Sequence, residues 1–248
     1  MIKTNIFISG VTGKVGKILL EKSFKDESLV LCGASASSSN KIIGKDLGSL
    51  FNQQDIGINV STIQDISPDV DVVIDFSVPE SSLEILSLAQ ERQVAIVLGT
   101  TGFSSLQVDQ IKEYSESIPL LYAPNTSIGI AMLKQILNKS EAILERPRKI
   151  NIYEKHHKQK KDSPSGTAID LRNQLKESFQ ENDVEITSER EGDSPGEHIV
   201  VFSFKDETVE LKHKASNRTI FAEGAIKASK WIKEKPNGLY SMQDIYSS

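Results

Sequence analysis

The chain has 248 residues, with 34 Asp and Glu against 29 Lys and Arg, a formal net charge of −5, and 38% hydrophobic residues. That balance suits a globular protein of one large domain or two modest ones and excludes disordered, collagen-like and solenoid chains. It lacks the basic excess of a nucleic-acid binder, any apolar run of about eighteen residues and a leader-like start, and its single Cys32 cannot form an intrachain disulfide, so a cytoplasmic protein with no membrane or nucleic-acid partner is expected.

In chain order, a short apolar strand, Ile6 to Ser9, runs into Gly10, Gly13 and Gly16 and then into the helical pattern VGKILLEKSF. A second apolar run, Leu29 to Ala34, ends in the small polar string SASSSN, the composition of a loop after a strand. Then come VDVVIDF (residues 70–76), a helical ESSLEILSLAQERQ, VAIVLGTTG, a helical segment to about Ser117, and PLLYAPN. Apolar strands alternating with amphipathic helices predict an α/β fold, a Rossmann-type doubly wound parallel sheet covered on both faces.

The pattern changes after Asn125. The spacing predicts a helix from about Ile128 to Leu144, a strand in KINIYEKHH and a helix from about Thr167 to Phe179. Three β-like runs follow, EITSERE, HIVVFSFKD and TVELKHKA, whose turn-rich and acidic separators suggest consecutive antiparallel strands. From Arg218 the spacing is helical again, so a C-terminal helix can return to the first domain. The expected organisation is a dinucleotide-binding domain of residues 1–127 and 217–248, with a second, mixed α+β domain of residues 128–216 between its two parts.

The first chemical signal is Gly10-Val11-Thr12-Gly13-Lys14-Val15-Gly16, after a strand and opening a helix. Glycines there let the backbone approach a pyrophosphate, and the helix N-terminus offers free N–H groups, so a nicotinamide dinucleotide is the natural ligand. The spacing is G-x-x-G-x-x-G, not G-x-G-x-x-G, and such a turn can also merely join a strand to a helix. After the second strand, Ala34 to Lys41 holds no carboxylate for a ribose 2′-hydroxyl. Its serines, with Lys41, Lys14 and Lys17, could take a 2′-phosphate, making NADPH as good a candidate as NADH; a solvated loop is the plainer alternative. Asp75-Phe76-Ser77 and Gly99-Thr100-Thr101-Gly102 fall at predicted C-terminal strand ends, where they could meet a nicotinamide ribose or simply end strands. Ala123-Pro124-Asn125-Thr126-Ser127 marks the change of architecture and is a candidate hinge facing the cofactor.

The densest constellation runs from Glu154 to Thr167, with four lysines and two of the chain's four histidines between Lys155 and Lys161. A small dianionic substrate suits it, since lysine neutralises a carboxylate or delivers a proton and histidine stabilises charge near neutral pH. Ser165-Gly166-Thr167 before a helix could form a second anion site. A metal set of Glu154, His156 and His157 is disfavoured because strand alternation turns adjacent histidines to opposite faces. A nucleic-acid patch would need more basic surface, and a solvated lysine loop is the strongest bland alternative. Cys32 reads as a buried small residue without a basic partner.

Taken together, these motifs resemble the dihydrodipicolinate reductase family over nearly the whole chain. The resemblance is carried by the glycine turn, DFS at Asp75, GTTGF at Gly99, APNTSIGI at Ala123, GEHIVVFSF at Gly196, HKASNRTIFAEGAIKA at His213 and GLYSMQDI near the C-terminus. Most specific is EKHHKQKKDSPSGTA, which looks like the family's E-x-H-H-x-x-K-x-D-x-P-S-G-T-A signature. The resemblance implies reduction of a cyclic unsaturated dicarboxylate to tetrahydrodipicolinate in lysine and diaminopimelate biosynthesis, with hydride from NADH or NADPH followed by protonation. It implies His156 as the acid/base or stabilising group, Lys160 as proton donor, and His157, Gly166 and Thr167 as binders of substrate carboxylates. Cofactor contacts fall on Gly10 to Val15, Gly99 to Thr101 and Ala123 to Thr126. It also implies that the central domain binds substrate and forms a homotetramer through its sheet. Departures are Ser37-Ser38, where many relatives carry an acid and then a base, Thr126 where Phe is common, and Lys14-Val15 for Arg-Met. Two competing expectations are another two-domain NAD(P)-dependent dehydrogenase, acting on a semialdehyde or hydroxy acid, and a non-catalytic dinucleotide sensor.

Overall fold

Strand β1 (Thr4–Ser9) and helix α1 (Lys14–Ser23) open a series that continues through β2 (Leu29–Ser35), β3 (Val60–Ser61), β4 (Val72–Asp75), α2 (Pro79–Arg92), β5 (Ala95–Leu98), α3 (Ser105–Ser115) and β6 (Pro119–Tyr122). The computed structural model describes residues 3–51, 54–140, 147–179 and 184–246. These divide into two units, Met1–Thr126 with Phe221–Ser248, and Ser127–Ile220. In the first, seven parallel strands lie in the order β11-β6-β5-β4-β1-β2-β3, where β11 is Gly238–Tyr240. All four residues of β4 and of β5 are buried, which is why β5 and the Val72 to Ile74 stretch of β4 read as apolar runs. Phe7, Val73, Ile96 and Leu120 of the sheet share one core with Ile85 and Leu86 of α2 and Ile111 of α3. Each such side chain contributes about 1.5–3 kcal/mol by leaving water. Helix α6 (Thr219–Ile232) ties its C-terminal part to this unit through ion pairs of Lys230 with Asp26 at 2.6 Å and Lys22 with Glu223 at 2.7 Å.

The second unit contains α4 (Ile128–Ser140), β7 (Lys149–His156), α5 (Gly166–Phe179), β8 (Val184–Arg190), β9 (Gly196–Ser203) and β10 (Thr208–Ala215). The residues expected to extend the first of these helices to Leu144 lie outside the described residues. Its sheet has the order β10-β9-β7-β8. The expectation of three consecutive antiparallel strands holds for β9 and β10 and fails for β8, which pairs parallel to β7. Helix α5 lies between β7 and β8 in the chain, and a strand–helix–strand crossover delivers its second strand parallel to the first. The turn-rich EGDSPGE segment is therefore no hairpin: it takes the chain past β7, so that β9 pairs antiparallel on the other side. Leu133 and Leu137 of α4 and Leu171 and Leu175 of α5 pack with Ile150, Ile152, Val200 and Phe202 of the sheet in one core.

Candidate functional site

In the first unit the candidate site begins at the turn between β1 and α1. Gly10 has φ +78°, and a Cβ there would lie 2.5 Å from the Phe76 carbonyl oxygen, while a Cβ on Gly16 would lie 2.2 Å from the Gly10 oxygen. Only glycine fits at either position. Gly13 caps α1 without a side-chain hydrogen bond, and the first turn carries no acid, which leaves first-turn amides and the positive helix end for a ligand. The sheet order reverses between β1 and β4, and there a cavity of about 660 Å³ is lined by Gly10, Thr12, Gly13, Ser35, Ala36, Ser37, Ser38, Phe76, Ser77, Glu80 and Glu84 among others. Such a crevice is where open α/β sheets take ligands, and a glycine cradle at an uncapped helix start fits a pyrophosphate.

The remaining residues expected at a cofactor do not line this cavity. Val11 is buried and donates its N–H to the Ser35 oxygen, and Lys14 and Val15 begin α1. None of Lys14, Lys17 and Lys41 lines the cavity either. Gly99 packs on Phe76, whose ring a Cβ there would meet at 2.3 Å, and Thr101 is exposed. Thr100 is buried, and its hydroxyl donates to Asp75 Oδ2 and accepts from the Ser77 N–H, both at 3.1 Å. The buried Asp75 carboxylate, also bound by Ser82, thus braces the DFS and GTTG loops against each other. Ala123 continues from β6, with Pro124 and Asn125 half-buried; Thr126 is buried, donating its hydroxyl to the Phe221 oxygen at 2.7 Å.

The second unit builds its site from sheet register. Alternation places Ile150, Ile152, Glu154 and His156 on the buried face of β7. Glu154 pairs with Ser188 of β8 and His198 of β9, and His198 pairs in turn with His213 of β10, so one row crosses all four strands. His156 pairs with Arg190. The fully buried Glu154 Oε1 accepts hydrogen bonds from the Ser165 N–H at 3.0 Å, Ser188 Oγ at 2.7 Å and Arg190 Nη2 at 2.9 Å. Its Oε2 lies 3.2 Å from His156 Nδ1 and 3.9 Å from His198 Nε2. The rings of His156 and His198 meet edge-on at 5.1 Å, and Ser127 Oγ sits 3.2 Å from His213 Nε2.

Electrostatics follow from this packing. Burial opposes ionisation of Glu154, but hydrogen bonds from His156, Ser165, Ser188 and Arg190 prevail and hold its carboxyl well below the usual range. Burial, reinforced by His156 alongside, pushes the His198 imidazole down to about 3, and burial also lowers His213. Both rings are therefore neutral at pH 7. Lys160 Nζ pairs with Asp162 at 2.9 Å; burial works against that carboxylate, and Lys160 outweighs it, leaving Asp162 below its ordinary value. His157 follows the end of β7 and donates its backbone N–H to the Ser194 oxygen. Gly166 and Thr167 open α5, where Ser165 Oγ accepts from the Ala168 N–H at 3.2 Å.

Thus the structure ties His156 to the start of the SGT helix through Glu154, and Arg190 Nη2 adds the loop carrying Lys160 and Asp162 by donating to the Asp162 oxygen. Sequence reasoning gave no role to Arg190, Ser188, His198 or His213. The signal for His198 was present in the alternation of GEHIVVFS, whose buried positions are Gly196, His198, Val200 and Phe202. Among the described residues, Glu154, His156 and His198 form the one trio whose ligand atoms all lie within 4.8 Å. Arg190 already neutralises that carboxylate, so the trio is better matched to hydrogen bonding than to a cation.

Two family models match the chain end to end: dihydrodipicolinate reductase, N-terminus, over residues 4–126, and dihydrodipicolinate reductase, C-terminus, over residues 129–246. Among curated relatives, the 4-hydroxy-tetrahydrodipicolinate reductase of Hahella chejuensis is 37% identical over 262 residues, covering 98% of both chains. That of Magnetococcus marinus is 37% identical over 258 residues, covering 96% of each. The fold is like that of a dipicolinate-bound dihydrodipicolinate reductase from Paenisporosarcina sp. TG-14, with a TM-score of 0.77, 23% identity, and 98% and 100% of the two chains covered. An aspartate semialdehyde dehydrogenase from Vibrio cholerae shares the fold less closely, at a TM-score of 0.60 and 14% identity. With two adjoining family models and end-to-end relatives above a third identity, the chain belongs to the dihydrodipicolinate reductase family.

Proposed function

We propose that the protein is a 4-hydroxy-tetrahydrodipicolinate reductase: the 4-hydroxyl of the cyclic dicarboxylate leaves as water, and the unsaturated dicarboxylate so formed takes a hydride from NAD(P)H and a proton to give tetrahydrodipicolinate, a step toward diaminopimelate and lysine. The observation that carries this reading is the 37% identity with a relative of that name over 98% of both chains. Gly10, Gly13 and Gly16 cradle the pyrophosphate, with the start of α1 supplying N–H groups. Val11 to Val15, Gly99 to Thr101 and Ala123 to Thr126 complete the cofactor contacts. The bound nicotinamide supplies the hydride.

In the second unit, His157, Gly166 and Thr167 hold the substrate carboxylates, the last two through the positive end of α5. His156 stabilises charge developing on the substrate, and the Lys160 ammonium, held at Asp162, donates the proton that completes reduction. Either cofactor is accepted. Serines at 37 and 38 leave space for a 2′-phosphate, while Glu80 and Glu84 in the cavity and no lysine in its lining favour the unphosphorylated ribose. The working form is a cytoplasmic homotetramer joined through the sheet of the second unit, whose helices pack on one face while Tyr153 stands 44% exposed. Sedimentation at micromolar concentration tests the tetramer. The activity is tested by generating substrate with dihydrodipicolinate synthase and following nicotinamide absorbance: substrate-dependent oxidation is expected with both cofactors, and none with either refutes the reading.

A further inference from the structure

We infer that Glu154 is a positioning residue that sets which nitrogen of His156 carries the proton and, through Arg190, anchors the loop that carries Lys160. The inference deepens the reductase reading and rests on it for the roles of His156 and Lys160. Three facts carry it.

First, Glu154 is fully buried, yet only one of its oxygens is saturated: Oε1 takes three donors, while Oε2 and His156 Nδ1 are both buried, lie 3.2 Å apart and have no hydrogen-bond partner elsewhere among the described residues. An ionised carboxylate only accepts, so the sole complementary arrangement puts a proton on Nδ1. Nε2 is then the lone-pair nitrogen of the neutral ring and the outward donor of the charged one. Catalytic hydrogen bonds are commonly loose before substrate binds, and this pair is close enough to tighten without rearranging the strand.

Second, the same carboxylate reaches His156 directly and the SGT helix start and Lys160 through its neighbours. It binds the N–H of Ser165, which caps the helix opened by Gly166 and Thr167. It binds Arg190, whose same Nη2 donates to the Asp162 oxygen at 2.6 Å, and Asp162 holds Lys160. The charged groups around His156 are thus Glu154 on its own strand, Arg190 on β8 and Lys160 with Asp162 on the following loop, with neutral His198 on β9.

Third, the other side of the ring packs on a residue without a side chain. A Cβ on Gly196 would come within 2.9 Å of His156 Nε2. The imidazole is thus flanked by a carboxylate at Nδ1 and by a residue without a side chain at Nε2. A histidine merely filling a core needs neither.

The test is Glu154→Gln in the full-length protein, which keeps size and removes charge. Its amide can donate to Nδ1, driving the proton to Nε2. We expect kcat to fall by about 100-fold or more, as when a histidine is held in the wrong tautomer, while the cofactor Kd stays within about twofold of wild type because that site lies on the other unit. Nitrogen-15 NMR of the ring should show the neutral His156 proton on Nδ1 in the wild type and on Nε2 in the variant. A purely structural role would lower stability without inverting the tautomer. A wild-type proton on Nε2, or a Glu154→Gln enzyme with wild-type kcat, overturns the inference. If the variant does not fold, the wild-type tautomer alone decides. If the wild type itself turns over no substrate, the reductase reading fails, and the ring measurement still reports on Glu154.

Discussion

The two units make their sites from opposite materials. In the first, the cradle is backbone: Gly10 at φ +78°, Gly16 against the Gly10 oxygen, and a helix start capped by Gly13. In the second, it is side chains: a buried carboxylate paired with a guanidinium, beside three imidazoles arranged by strand register. A backbone cradle recognises what all dinucleotides share and is indifferent to pH. An ionisable cluster is suited to proton chemistry, and its stability depends on pH. The contrast predicts that damage to one unit spares the function of the other.

The largest effect should come from the second unit. Lys160→Ala and His156→Ala should each lower kcat by about 100-fold or more, the scale of lost acid or electrostatic help. Steady-state kinetics at saturating cofactor check this, and wild-type rates in both variants would remove the mechanism. The converse cut is Gly16→Ala or Gly10→Ala, where the new Cβ would press on backbone oxygen at 2.2 Å or 2.5 Å. We expect cofactor affinity to fall more than about tenfold and stability by about 1–3 kcal/mol from overpacking, read by fluorescence titration and thermal melting. Unchanged affinity would show that the glycine turn is only a connector.

Acid should separate the units less strongly. His198 is depressed to about 3 in the folded protein and titrates near 6.5 when unfolded, so the unfolded chain takes up the proton first and stability falls as pH drops below about 6.5. Glu154, also depressed, adds its loss below its ordinary value of 4.5. The slope from His198 is about 1.4 kcal/mol per pH unit at most. Urea unfolding at pH 7.5 and 5.5 should show a loss that flattens in His198→Asn; an identical slope in that variant would mean the ring is not the cause. The smallest effect concerns cofactor choice: Ser37→Asp should shift the NADH to NADPH ratio of kcat/KM toward NADH by about tenfold, one well-placed ribose contact. No shift would mean that the serine loop has no part in the choice.

What the sequence disclosed follows the same division. The glycine cradle was legible because its constraint is local: strand, turn and helix are contiguous in residues 4–23. The parallel sheet was legible because buried strands carry apolar runs, all of β5 and Val72 to Ile74 of β4. His156, Lys160 and the SGT helix start were legible as a short dense motif. Arg190, Ser188, His198 and His213 were not, because they reach Glu154 or one another only through pairing across β8, β9 and β10. That pairing depends on strand order, and β8 was expected beside β9 when it sits beyond β7. Lys14, Lys17 and Lys41 were read as candidate phosphate contacts from nearness in sequence, yet none lines the cavity. Glu80 and Glu84, which do, arrive from α2, far along the chain from the glycine turn.

The most direct measurement of the central claim follows turnover and cofactor binding on one preparation of His156→Ala, with the wild type beside it and substrate generated in the cuvette. The wild type should consume one NAD(P)H for each cyclic dicarboxylate reduced, and the variant should bind the cofactor as the wild type does while its turnover falls by about 100-fold. A variant that loses cofactor binding in step with turnover, or a wild type that leaves the dicarboxylate untouched, would contradict the account.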